Sequence, residues 1–136
     1  MCMGVLTLGL FLMTPVASEA NAKKYDIDVS ETSREVAKGA KGTFQLKIQA
    51  KPGFKVSQEA PLKIKLASEG LGLQKTELGA KDAKNKKWTS PEFAVGFSAD
   101  ERGDQHIDVD AVFFVCDERI CERKKETLSV PVSVGP

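Results

Sequence analysis

Ligands for a metal are scarce in this sequence. It has one His, His106, and its three Met lie at positions 1, 3 and 13. Of its three Cys, Cys2 stands near the start, far from Cys116 and Cys121. A zinc site takes about four Cys, His or carboxylate ligands, and two late cysteines with one histidine fall short. A blue-copper site takes two His, a Cys and usually an axial Met, which the body of the chain does not hold. No metal or other cofactor is therefore expected. Charge of one sign is missing too, with 20 Lys and Arg against 19 Asp and Glu. A nucleic-acid partner would call for a strongly basic surface, so none is expected. Aromatics are few, at seven Phe, one Trp and one Tyr, which predicts a mostly aliphatic core. No nucleophile elbow and no phosphate loop occurs, and His106 reads as a surface residue beside Asp108 and Asp110.

The almost wholly apolar stretch from Gly4 to Val16 is shorter than the roughly 20 residues a bilayer span requires. Ala20-Asn21-Ala22 follows it as a small-x-small cleavage site. Residues 1–22 are therefore expected to be a cleaved signal peptide, and residues 23–136 a single exported domain. The expected compartment is the periplasm or the medium, with no membrane insertion after cleavage. Cleavage removes every methionine and leaves Cys116 and Cys121 alone. Two cysteines five positions apart in an exported domain suggest a disulfide or a redox pair.

Alternation of apolar and polar residues dominates what remains, as in half-buried strands. It runs through Tyr25–Val29, Phe44–Ile48, Phe54–Val56, Leu62–Leu66, Leu71–Leu73, Phe93–Phe97, Ile107–Cys116 and Leu128–Val134. Pro52-Gly53 marks a turn, and Pro61 precedes the fourth run. Seven to eight short strands predict an all-β fold, an immunoglobulin-like antiparallel β-sandwich. Residues 30–40 have room for a helical turn, limited by Gly39 and Gly42.

Residue parity predicts where the cysteines point, because strand side chains alternate between faces. Ile107, Val109, Ala111, Phe113 and Val115 form the core face, which turns Val112, Phe114 and Cys116 outward. In the last strand Leu128, Val130, Val132 and Val134 point inward, which turns Cys121, Arg123 and Lys125 outward. A hairpin loop of Asp117-Glu118-Arg119-Ile120 sets Cys116 opposite Cys121, Phe114 opposite Arg123 and Val112 opposite Lys125. Opposed Cβ atoms about 4.5–5.5 Å apart are wide of the roughly 3.8 Å mean for disulfides, so a bridge there is expected to carry some strain. The same register turns Glu122, Lys124 and Glu126 inward, and a bulge or the open end of the sandwich must accommodate them.

So short a loop restricts the unfolded chain little, and its bridge stabilises by only about 2 kcal/mol. Three readings stay open on these residues: a labile, exchanging disulfide, a plain surface staple, or two free thiols. Arg119 and Arg123 favour a thiolate, while Asp117, Glu118 and Glu122 oppose one.

Val115-Cys116-Asp117-Glu118-Arg119-Ile120-Cys121, with Leu128-Ser129-Val130-Pro131-Val132 after it, resembles the end of the N-terminal periplasmic domain of the disulfide reductase DsbD. Lys51-Pro52-Gly53-Phe54-Lys55-Val56, leading through Pro61 into Leu62–Leu66, resembles an earlier part of it. That family has an immunoglobulin-like domain whose cysteine pair takes electrons from a membrane-embedded partner and passes them to thioredoxin-fold proteins. The resemblance thus implies that Cys116 and Cys121 form the redox pair. It implies a protein partner, a thioredoxin-fold protein or a membrane-embedded thiol reductase, supplied as a separate chain. The family carries two prolines after its second cysteine, where this chain has Glu122-Arg123-Lys124-Lys125. The surface expected to meet a partner comprises Val112, Phe114, Arg119, Arg123 and Trp88. A competing expectation is a non-enzymatic interaction module with a structural disulfide, and Lys81, Lys84, Lys86 and Lys87 read as a solvated loop.

Overall fold

Ten strands build two facing sheets in the computed structural model, which describes residues 24–136. The signal peptide expected over residues 1–22 lies outside the described residues. One sheet has the order β1 (Tyr25–Asp28), β3 (Lys41–Ala50), β8 (Glu92–Ala99), β6 (Leu71–Leu73). The other runs β2 (Glu35–Ala37), β10 (Cys121–Gly135), β9 (Gly103–Cys116), β5 (Lys63–Ala67), β7 (Glu77–Leu78). β4 (Lys55–Val56) joins the second sheet by pairing with the cysteine end of β9. This is the immunoglobulin-like sandwich that the alternating pattern predicts, with more strands than the seven to eight expected. The extra ones are pieces of two or three residues, too short to show a period.

Residues 30–40 hold no helix. A hydrogen-bonded turn, Thr32 N–H to Val29 O at 3.1 Å, carries the chain from the first sheet to the second. There β2 runs parallel to the end of β10, Glu35 beside Ser133. The crossover is pinned from the side. Thr32 Oγ1 donates to Gln45 O and accepts from Gln45 N–H, both at 3.0 Å. These bonds satisfy a hydroxyl that is otherwise buried.

The core fills the space between the sheets. By number its residues are mainly aliphatic, but the largest fully buried side chains are Phe44, Phe93, Phe97 and Phe113. Gly42 stands opposite Phe97 in the β3–β8 ladder, and the Phe97 ring occupies the place a Cβ at Gly42 would take. Along β9 the residues Ile107 to Val115 alternate into this core as their parity predicts. β9 is therefore the spine that positions everything at its far end.

β4 and β5 share one edge of β9. Lys55 pairs with Cys116, and after a break over residues 57–62 that includes Pro61, Lys63 pairs with Val112. The ladder is held across part of the break by Ser57 N–H donating to Phe114 O at 2.9 Å.

Candidate functional site

The β9–β10 ladder runs the whole length of β9 and ends with Cys121 opposite Cys116. Phe114 faces Arg123 and Val112 faces Lys125 in the same register. Cys116 and Cys121 are joined in a disulfide, with their Cα atoms 4.0 Å apart. Beyond them Asp117 N–H donates to Ile120 O at 3.0 Å. Since hydrogen-bonded and non-hydrogen-bonded pairs alternate, the cysteines occupy a non-hydrogen-bonded pair, the kind in which side chains approach more closely. The wide separation expected from the sequence is corrected on this ground.

Asp117 closes the loop. Its Oδ1 accepts from Arg119 N–H at 2.7 Å and Ile120 N–H at 2.8 Å, an Asx turn that replaces missing ladder bonds. Those two backbone donors hold the Asp117 carboxyl below its usual pKa, that of Arg119 contributing most. Ile120, at the loop's tip, is 56% exposed, an exposed large apolar side chain beside the disulfide.

The two cysteines are not equally exposed. Cys121 is exposed, whereas Cys116 is only 4% exposed. Parity turns Cys116 away from the core, but the expectation of an open position is corrected. β4 runs along the other side of β9, and Trp88 lines the same hollow as both cysteines. Trp88 is held there by its own backbone, since its carbonyl accepts from Val56 N–H at 2.7 Å. Its side chain is half-buried and packs against the edge of the core. Cys121, by contrast, begins β10, whose other edge is paired only at its far end by β2. The hollow has a volume of about 360 Å³, and Lys55, Gln58, Glu59 and the loop 117–120 complete its walls.

The residues expected to meet a partner fall into two groups. Trp88 and Arg119 line the hollow at the disulfide. Val112, Phe114 and Arg123 line a separate groove on the outer face of the sheet, together with Lys63, Lys65 and Lys125.

Beneath the hairpin lies an arrangement that local patterning does not show. The inward-turned Glu122, Lys124 and Glu126 are met by the start of β1 rather than by a bulge. Lys24 Nζ is 2.6 Å from Glu122 Oε1, and Lys124 Nζ is 2.9 Å from Glu122 Oε2. These two cations push the Glu122 carboxyl down to about 2, the Lys24 hydrogen bond first. The Tyr25 hydroxyl donates to Glu126 Oε1, and its ring meets Phe113 edge-on at 5.0 Å. Burial, then the neighbouring Glu126, raises the Tyr25 hydroxyl above its usual pKa. Lys24 also lies 5.4 Å from the centre of the Phe54 ring.

No family model matches the chain, and no curated protein matches it in sequence. Solved structures similar to it include domains 4 and 5 of the S-layer protein SbsC, at 19% identity and a TM-score of 0.48. That likeness covers 82% of this chain and 51% of the S-layer structure, so the chain spans about half its length. A conjugative transposon lipoprotein from Bacteroides eggerthii is similar at 13% identity and a TM-score of 0.47, over 80% of this chain and 96% of its own. AggA, the major subunit of aggregative adherence fimbriae type I from Escherichia coli, follows at 12% identity and 0.38, over 81% and 93%. Nothing about function follows from these likenesses.

Among the described residues, no three His, Cys, Asp or Glu side chains gather as ligands for a metal. His106 is exposed, with its Nε2 3.7 Å from Asp108 Oδ2. Lys81, Lys84, Lys86 and Lys87 are exposed along the connection that ends at Trp88. None of the helices among the described residues is long and apolar enough to cross a membrane.

Proposed function

We propose that this is an exported, periplasmic or secreted domain that exchanges its Cys116–Cys121 disulfide with the thiols of a protein partner. The observation that carries this reading is the bond's place at the end of a continuous ladder, with one of its two cysteines exposed. Strands β9 and β10 are already paired along all of β9, so the bond adds little to holding them. Disulfides that a partner thiolate can reach are the more labile and more often exchanging class, and Cys121 offers that approach. The apolar run Gly4–Val16 and the Ala20-Asn21-Ala22 site support export, and the resemblance of the hairpin to the DsbD N-terminal domain supports the partner class. That class is a thioredoxin-fold protein or a membrane-embedded thiol reductase.

The exposure of Cys121 suggests the order of events. A partner thiolate attacks Cys121 Sγ, the Cys116–Cys121 bond breaks, and its electron pair goes to Cys116 Sγ, which takes a proton from water. The partner's second thiolate then attacks the partner's own sulfur in the mixed disulfide and releases Cys121. The partner dithiol is oxidised and the domain's disulfide is reduced. In reverse, Cys121 attacks a partner disulfide and Cys116 resolves the adduct.

The test is trapping with a thioredoxin-fold protein that keeps a single reactive cysteine, activated as its mixed disulfide with 2-nitro-5-thiobenzoate, so that attack by a domain thiolate joins the two proteins and releases thionitrobenzoate. Cys116→Ser, which keeps the exposed thiol, is expected to accumulate a mixed disulfide with it. Cys121→Ser is expected to accumulate little. Equal trapping of both variants, or of neither, contradicts the reading.

A second reading has one observation in its favour. The burial of Cys116 also suits a structural bridge in a non-enzymatic interaction module. Such a module binds its partner equally well with both cysteines replaced by serine.

A further inference from the structure

The groove on the outer face of the second sheet has a layered composition set by register. Lys63, Val112 and Lys125 stand side by side on β5, β9 and β10. One layer towards the hairpin Phe114 stands beside Arg123, and one layer the other way Lys65 stands beside Asp110. Pro61 closes the β5 side. An apolar floor on the middle strand therefore lies between two cationic rims, in a groove of about 490 Å³.

The charge is one-sided. Among the groove's lining residues Lys63, Lys65, Arg123 and Lys125 meet one carboxylate, Asp110, which accepts from Thr127 Oγ1 at 2.9 Å, and a second, Glu77, stands beside Lys65 at the outer edge. Lys65, Arg123 and Lys125 make no ion pair among the described residues, and Lys63 makes an exposed one with Glu77 at 3.2 Å. The chain as a whole is almost neutral, so this concentration of cations is local. The rims are two strand spacings apart, about 9–10 Å, which is the width of one extended chain.

We propose that this groove docks an acidic segment of a partner protein, laid along β9. An apolar side chain of the segment rests on Val112 and Phe114, and its carboxylates meet the lysines and Arg123 on either side. Floor and rim together favour a peptide over a simple polyanion, because a polyanion has nothing to place on the apolar strip. The proposal does not depend on exchange at the disulfide.

The test titrates the oxidised domain with a fluorescent peptide of alternating Glu and apolar residues, Glu-Leu-Glu-Phe-Glu-Leu-Glu. Comparison probes are the same peptide with Lys for Glu, a peptide of Glu alone, and vesicles of phosphatidylcholine with phosphatidylglycerol. The alternating acidic peptide is expected to bind at least about tenfold more tightly than either comparison peptide, and more weakly as salt rises. Replacing both Lys63→Gln and Lys125→Gln is expected to weaken it by about tenfold or more. Replacing Lys86→Gln and Lys87→Gln, which removes the same charge outside the groove, is expected to leave it unchanged. All four side chains are exposed, so neither pair disturbs the core. The proposal is overturned by equal binding of the Glu-only peptide, by equal weakening in both double variants, by no peptide binding, or by binding to the anionic vesicles alone.

Discussion

Lys24 and Glu122 are 98 residues apart in the chain, and their side chains meet at 2.6 Å under the two-cysteine hairpin. The contact ties the residue that leads into the first strand of one sheet to the start of the last strand of the other. It explains how a strand reading Cys-Glu-Arg-Lys-Lys-Glu continues an inward-facing row without a bulge. The sandwich is open at this end, and charge is matched there by charge.

Acid stability follows from this pair. The Glu122 carboxyl is lowered from 4.5 to about 2 in the folded protein. A depressed carboxyl contributes stability that is present above its unfolded value and lost as pH falls towards its folded value. Urea midpoints are expected to decline between pH 4.5 and about 2, and Glu122→Gln is expected to flatten that decline. Midpoints measured across this window in both proteins check it.

Alkaline stability turns on Tyr25. Its hydroxyl is raised above 10.0 by burial and by Glu126, so stability is complete below that pH and lost above it. Tyr25→Phe is expected to remove this alkaline loss while costing about 0.5–1.5 kcal/mol at neutral pH through the missing hydrogen bond. Denaturation at pH 7 and above pH 10 separates the two effects.

Much of this architecture was legible locally. Ile107 to Ala111 and Leu128 to Val134 alternate strictly, so their faces, and hence the Cys116–Cys121 register, follow from parity. What was not legible lies in contacts between distant segments. The seating of Tyr25 on Phe113, the parallel pairing of β2 with β10, and the covering of Cys116 by β4 have no local period. β2 and β7 are three and two residues long, below the length at which alternation can be read. The partner surface was read as one patch, and the structure divides it because Val112 and Phe114 lie down the strand from the hollow at Trp88.

Close packing at Gly42 gives a core test. Gly42→Ala places a methyl group against the Phe97 ring and is expected to cost about 1–3 kcal/mol. Combining it with Phe97→Leu is expected to cost less than the sum of the two single changes, as a double-mutant cycle in urea would register.

Removing the disulfide is expected to leave the fold intact. Replacing both cysteines with serine should cost about 2 kcal/mol, the entropy of so short a loop. Far-ultraviolet circular dichroism and a cooperative unfolding transition check it, and collapse of the fold would mark the bond as a staple.

The most direct test of the exchange reading is the reduction potential of the oxidised domain, equilibrated against dithiothreitol and glutathione buffers. The account predicts a value above about −300 mV, within reach of thioredoxin-fold exchange proteins. A value below about −300 mV belongs to a structural bridge and contradicts it.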